Sequence, residues 1–322
     1  MKKNDLILNV VIPCYNEEEA LPLTKKVLDK KMQELFDNNL ISKMSKIVLV
    51  NDGSKDKTWE IITKIHNENS MYVGINLSKN KGHQNALLAG LMYAKDHSDI
   101  CISMDADLQD DINVMDDMIK KYNAGADIVY GVRNSRKKDT FFKKTTAEGF
   151  YKLMNHMGVE IVFNHADYRL MSKRALESLS MYNEVNLFLR GIVPQLGYKT
   201  DISYYERNER VAGNSKYPLK KMLSFAVDGI TSFSIKPLRI IGVIGFLILI
   251  LSLIVLTYSI IVKLCGSTVS GWTFIVCSIW LIGGIQTLCL GVIGEYIGKM
   301  YNETKKRPRY IIESILDDQI SK

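Results

Sequence analysis

The sequence has no Cys-x-x-Cys pair. Its five cysteines stand apart at 14, 101, 265, 277 and 289, which excludes a zinc ribbon and a disulfide framework. There is no internal repeat and no low-complexity tract, so neither a solenoid nor a disordered linker is expected. No nucleic-acid-binding motif appears. The net charge of +7 is therefore read as attraction for anionic lipid and phosphate. A cleavable leader is not expected either. Lys2-Lys3 precede an apolar run, but Leu6–Ile12 is short, is broken by Asn9 and ends at Pro13-Cys14 without a small-residue cleavage site; it reads as a first strand. The most informative absence is that of charge itself: no Asp, Glu, Lys or Arg occurs in Ile240–Val262 or in Trp272–Gly294.

Each of these runs is long enough to cross a bilayer as a helix, which takes about 20 apolar residues. Two in tandem, with only Lys263–Gly271 between them, favour membrane spans over buried core helices. Lys236 and Arg239 precede the first run, and Lys299, Lys305, Lys306, Arg307 and Arg309 follow the second, while the connecting loop carries only Lys263. The positive-inside rule then places both termini in the cytoplasm, on a multi-pass protein of the cytoplasmic membrane. Just ahead of the first run, Tyr217–Ser234 mixes Lys220 and Lys221 with Leu219, Met222, Leu223, Phe225 and Val227. It reads as an amphipathic helix in the membrane interface.

The first half of the chain alternates. Strand-like runs at Leu6–Ile12, Ile47–Val50, Tyr72–Leu77, Asp99–Met104 and Ile128–Tyr130 are separated by helical spacing over Glu17–Phe36, Thr58–Glu68, Gln84–Ala94 and Val114–Tyr122. That pattern means βαβ units and a mostly parallel sheet flanked by helices. Later, Phe141–Met157 looks amphipathic and Ser172 caps a helix to Met181. Ligands of such sheets bind outside the carboxyl ends of the strands. Polar clusters stand at four of those ends: Pro13–Glu17, Asn51–Ser54, Asp105–Asp107 and Gly131–Arg133. Asp105 and Asp107 sit one residue apart, so both carboxylates can point the same way from extended chain. Hard divalent cations are commonly shared between one or two carboxylates and substrate phosphates. The pair points to a metal-assisted site for a nucleotide diphosphate, with Mg²⁺ or Mn²⁺ as the cation. The plainer reading is a polar strand-to-helix loop with an N-capping Asp.

Ordered segments then carry a resemblance. They are Val11-Ile-Pro-Cys-Tyr-Asn-Glu-Glu18, Val50-Asn-Asp-Gly-Ser54, Asn80-Lys-Gly-His-Gln-Asn-Ala86, Asp105-Ala-Asp-Leu-Gln109 and Tyr130-Gly-Val-Arg133. They continue with Asp167-Tyr-Arg-Leu170, Phe188-Leu-Arg-Gly191, Arg210–Tyr217 and Ser232–Arg239. Over nearly its whole length the chain resembles glycosyltransferase family 2, and within it the polyisoprenyl-phosphate glycosyltransferases, the bactoprenol-type branch above all. The resemblance implies a GT-A fold and inverting transfer of a sugar from a nucleotide-sugar to a membrane polyprenyl phosphate. In the bactoprenol branch the Asp167 segment usually follows an Asp-x-Gly pattern; here Asn164 and Ala166 stand in those places, which implies a different sugar pocket.

The resemblance also assigns residues. Asp105, Asp107 and Gln109 take the metal. Pro13, Tyr15, Glu17, Asp52, Gly82, Gln84, Asp105 and Ala106 form the nucleotide-sugar site, Tyr15 against the base and Glu17 and Asp52 as acceptors for ribose or base. An Asx turn is the alternative for Asp52. Arg133, Arg136, Arg169, Arg190 and Lys216, with Arg210 behind them, are cations for the acceptor phosphate. Asp107, Arg133 and Asp167 are the catalytic candidates. Asp167 is read either as a base or as a group that orients an arginine, because a phosphate monoester is already largely ionised near neutral pH. His83 is read as incidental.

The expected organisation is a catalytic domain over 1–215, a juxtamembrane segment over 216–238, a two-helix transmembrane domain over 239–298 and a basic cytoplasmic tail over 299–322. Gly283, Gly284, Gly291, Gly294 and Gly298 are candidates for close helix packing, and Gly294–Gly298 for self-association as a homo-oligomer. The expected substrates are UDP-glucose and undecaprenyl phosphate, with N-acetylhexosamine and mannose open as the sugar. A processive polysaccharide synthase is disfavoured, since no Gln-x-x-Arg-Trp segment occurs. An inactive membrane scaffold is disfavoured by Asp105, Asp107, Arg133 and Asp167. A sugar nucleotidyltransferase is disfavoured because Val11–Glu18 is neither glycine-rich nor basic.

Overall fold

The computed structural model describes residues 6–133, 165–206, 230–231, 234–264 and 271–318. Arg136, Asn164, Arg210, Lys216, the Phe141–Met157 segment and most of Tyr217–Ser234 lie outside these. Strand β1 (Leu8–Cys14) is buried at every position, as an apolar run must be when helices cover both faces of a sheet. Helix α1 (Leu21–Asp37) starts with a proline in its first turn, where the missing N–H costs nothing. It turns Leu21, Leu28, Met32 and Leu35 into the core, the stripe expected of a helix lying on a sheet.

The alternation continues through β2 (Lys46–Asn51), α2 (Thr58–Glu68), β3 (Tyr72–Leu77), α3 (His83–His97), β4 (Ile100–Ser103), α4 (Val114–Asn123) and β5 (Ile128–Arg133). Then come β6 (His165–Ser172), α5 (Lys173–Ser180), α6 (Leu189–Gln195) and β7 (Thr200–Tyr205). Ser172 caps α5, its hydroxyl accepting from the Ala175 N–H, as the sequence predicts. Helix α6 and strands β6 and β7 were not anticipated. With a last strand, β8 (Ile312–Leu316), the sheet has the order β7-β5-β6-β4-β1-β2-β3-β8. β1 pairs in parallel with β2 and β4, β2 with β3, and β5 with β7. β6 runs antiparallel between β4 and β5. The chain therefore winds outward from β1 to β3, then returns to place β4 on the other side of β1. That reversal opens a crevice at the carboxyl ends of β1 and β4.

Glycine lets the layers meet closely at one point. A Cβ at Gly90 of α3 would stand 2.3 Å from Val11 Cγ1 and 2.9 Å from Val50 Cγ2.

The last strand, β8 (Ile312–Leu316), joins the free edge of β3 in antiparallel register, Ile75 opposite Ile315. The Asn76 amide donates to Glu313 at 2.9 Å, and the Tyr93 hydroxyl to the buried Asp317 at 2.5 Å. The segment expected as a basic tail is thus more than a tail: after Arg307 the chain re-enters the unit that holds the sheet. A second compact unit contains α7 (Lys236–Leu264) and α8 (Trp272–Thr304). Both helices are long and apolar enough to cross a membrane, and their apolar windows are unburied. α8 runs past the expected limit of 298. Among the described residues, added Cβ atoms at Gly283, Gly284, Gly291, Gly294 and Gly298 would meet nothing within 4 Å.

Candidate active site

The loops after β1, β2, β3 and β4 build the crevice. After β1, Asn16 takes a left-handed conformation at φ 52°. Its N–H donates to Ser54 Oγ, and its side-chain oxygen accepts from the Lys55 N–H. The Glu17 N–H donates to Thr58 Oγ1. Pro13 is buried in β1 opposite Val50, and Tyr15 stands exposed at the edge. The β1 and β2 loops are thus clamped together, with Tyr15 and Glu17 at the rim. Asp52 is only 2% exposed. Its two oxygens accept from the Lys81 N–H at 2.7 Å and the Gly82 N–H at 2.9 Å. Asp52 therefore fixes the wall that precedes α3, where Gly82 sits at φ +87°, a conformation open to glycine.

β4 delivers the carboxylate pair. Asp107 is 9% exposed, and its Oδ1 accepts from the Gln109 N–H at 3.2 Å. The Ala106 carbonyl accepts from the Thr24 hydroxyl at 2.7 Å, which ties the loop to α1. Leu108 is held at φ 54°. A bulky side chain in the left-handed region stores roughly 1–2 kcal/mol of strain, and here the strain lies between Asp107 and Gln109.

The imidazole of His83 stands between two acids, 3.6 Å from Asp105 and 3.5 Å from Asp167. Its sequence reading as incidental is corrected by this position at the centre of the crevice. Burial pulls the His83 pKa down, but the contact with Asp167 and the charges of Asp105 and Asp167 outweigh it and raise the ring to about 8. Asp167 is also gripped by Arg169 at 2.7 Å and by Arg190 through two contacts at 3.2 and 3.0 Å. Burial pushes its carboxyl up, yet Arg190, His83 and Arg169 together hold it well below the usual carboxylate range. Asp105 moves the other way: burial, against the pull of His83 and helped by Asp167 and Asp107, raises it.

Arg169, expected as a phosphate ligand, is fully buried at 0% exposure, with its guanidinium on Asp167 and the Leu189 carbonyl. It is out of reach of an acceptor and acts as a brace. Gln84 Oε1 accepts from the Leu189 N–H at 2.8 Å, so this residue holds the start of α6, which carries Arg190. Arg133, at the end of β5, donates through Nε to the Tyr205 hydroxyl at 3.2 Å and approaches Asp110 at 3.6 Å. Asp110 is buried, and burial with the charge of Asp105 pushes it up to about 6, against Tyr205 and Arg133. His83, Asp110 and Tyr205 belong to the site although sequence reading did not assign them.

The structure thus gathers Asp52, Gly82, Gln84, Asp105, Asp107, Arg133, Asp167, Arg169 and Arg190 around one crevice. Among the described residues no group of three or more His, Cys, Asp or Glu side chains forms a ready metal cage. The donor set still fits a hard cation. Two carboxylates with the Gln109 amide are oxygen donors, and such ions complete their shells with phosphate and water. Burial first, and then the charges of Asp167 and Asp107, raise Asp105, and a cation beside it would favour its charged form.

The family model for glycosyl transferase family 2 matches residues 9–180. The chain is 51% identical to a Bacillus subtilis (strain 168) protein named uncharacterized glycosyltransferase YkoT, across all of this chain and 96% of that one. It is 41% identical to a prophage bactoprenol glucosyl transferase homolog of Escherichia coli (strain K12), over 96% of this chain and 99% of the other. The bactoprenol glucosyl transferase of Shigella phage SfX is also 41% identical, over 95% of this chain and 99% of its own.

Proposed function

We propose, from the premise that this chain belongs to glycosyl transferase family 2 and is a glycosyltransferase of GT-A fold, that it moves glucose from UDP-glucose to undecaprenyl phosphate at the cytoplasmic face of a membrane. The observation that carries the reading is the division of charge in one crevice. The pair Asp105 and Asp107 suits a cation on the donor diphosphate, and Arg133 and Arg190 suit the acceptor phosphate. The near-complete coverage of the bactoprenol relatives supports the lipid acceptor, and their names support glucose.

Asp105, Asp107 and Gln109 would hold Mg²⁺ or Mn²⁺. That ion supplies charge stabilisation to the departing diphosphate. The Asp52-braced wall of Gly82 and the rim residues Tyr15 and Glu17 seat the nucleoside. Arg133 and Arg190 hold the acceptor phosphate in line with the anomeric carbon, Arg190 aimed by Asp167 and Gln84. A phosphate oxygen forms the new bond to C1 as the bond from C1 to the diphosphate breaks, which inverts the configuration. The nucleoside diphosphate leaves with the electron pair. No base is needed: the second proton of a phosphate monoester is lost near pH 6. Asp167, held well below the usual range, orients rather than accepts.

The membrane reading rests on α7 and α8 and on β8. Because β8 and β3 share one sheet, the flanks of the helix pair share one side, and two crossings satisfy that where one would not. The basic flanks favour the cytoplasm for that side.

Membranes holding the full chain, undecaprenyl phosphate and Mg²⁺ provide the test. Offered labelled UDP-glucose, UDP-N-acetylglucosamine and GDP-mannose in turn, they are expected to put label into the organic phase from UDP-glucose. Asp107→Asn and chelation should each abolish it. Label from another donor replaces the sugar assignment, and lipid label from none of the three refutes the reading as stated.

A further inference from the structure

Tyr205 closes β7 directly opposite Arg133 at the end of β5 in the parallel register. Residues paired in this way project on one face of the sheet. Here the pairing joins a phenol to a guanidinium, and a third residue joins them. The Tyr205 hydroxyl donates to Asp110 Oδ1 and accepts from Arg133 Nε at 3.2 Å. Arg133 Nη2 stands 3.6 Å from the same Asp110 oxygen. Tyr168 meets the Tyr205 ring edge-on, with centroids 5.6 Å apart at 86°, a favoured aromatic geometry that fixes the phenol.

The placing of Asp110 is costly for stability alone. It is 2% exposed, lies in the field of Asp105 and Asp107, and among the described residues its Oδ2 has no hydrogen-bond partner. Burying a charge is unfavourable unless it is paired and hydrogen-bonded. What the arrangement does achieve is to hold one long, flexible arginine in one pose at the rim of the acid pair. An arginine carries about 2 kcal/mol of rotamer entropy, and a pose fixed beforehand spares that loss when phosphate arrives.

We infer that Tyr205, together with Asp110, is a positioning residue that presents Arg133 to the acceptor phosphate. The inference rests on the phosphate role proposed above for Arg133. The full chain in membranes, with UDP-glucose, Mg²⁺ and varied undecaprenyl phosphate, tests it through the wild type, Tyr205→Phe, Arg133→Gln and the double variant. Tyr205→Phe is expected to raise the KM for undecaprenyl phosphate about tenfold, as loss of one hydrogen bond to a charged group does. The KM for UDP-glucose should stay within about twofold. In the Arg133→Gln background the same change should add nothing, the signature of residues acting as one unit. Asp110→Asn keeps the shape and should repeat the pattern, which covers the case in which the phenylalanine variant folds poorly. Equal effects of Tyr205→Phe in both backgrounds would overturn the inference while leaving Arg133 in its role. An Arg133→Gln variant with unchanged acceptor KM would remove that role, and the inference with it.

Discussion

At the scale of single residues, Asp167 separates two chemistries. A base must be able to take a proton at working pH, and the lowered pKa of a carboxylate held by two arginines and a histidine favours the orienting role proposed above. The pH dependence of kcat/KM for the acceptor is therefore expected to show an acid limb near pH 6, from the free acceptor phosphate, and none from Asp167. A limb that moved in Asp167→Glu would refute this. Stability gives a second readout. The folded-state pKa of Asp167 lies below its unfolded value, so its stabilising contribution is complete above the ordinary carboxylate range near pH 4. It is lost as pH falls through the lowered folded value. The melting-temperature deficit of Asp167→Asn should be large at pH 7 and shrink in acid. His83 has the opposite sign. Raised to about 8, it contributes fully below its unfolded pKa near 6.5, and the contribution disappears as pH rises through about 8. Without divalent ion, its ring resonances should titrate near pH 8 and move toward 6.5 in Asp167→Asn.

At the scale of elements, legibility followed burial. β1 to β5 were readable because each is an apolar run that stops at a polar turn. β6 was not, because His165, Asp167 and Arg169 alternate along it, and it runs through the sheet with a charged pair inside. β7 reads Thr-Asp-Ile-Ser-Tyr-Tyr and lies at an edge, where polar residues are tolerated. The same contrast governs the site. Asp105, Asp107, Asp167 and Arg190 were legible through their motifs. The involvement of Tyr205 follows from strand register, and that of His83 from the start of α3 meeting the β4 loop and β6, neither of which a linear pattern displays. The close approach of α3 also makes a prediction. Gly90→Ala would force Val11 or Val50 aside, and overpacking of this kind costs about 1–3 kcal/mol. Denaturant unfolding should show the loss, and an unchanged midpoint would mean that the helix can lift from the sheet.

At the scale of the whole molecule, the hydrogen bond from Asn76 to Glu313 spans 237 residues of chain. Deleting the chain from Arg307 onward should expose the β3 edge and make the protein prone to aggregation. Soluble yield after detergent extraction would measure it. There is a further consequence for how the molecule is made. A ribosome adds about 5–20 residues per second, so β3 waits on the order of ten seconds to a minute for its partner. Both apolar helices are synthesised in that interval. The sheet is the last thing to close, and a chain interrupted within α7 or α8 never completes it. Order of synthesis therefore works as a checkpoint: a finished catalytic sheet exists only on a chain that already has its two apolar helices.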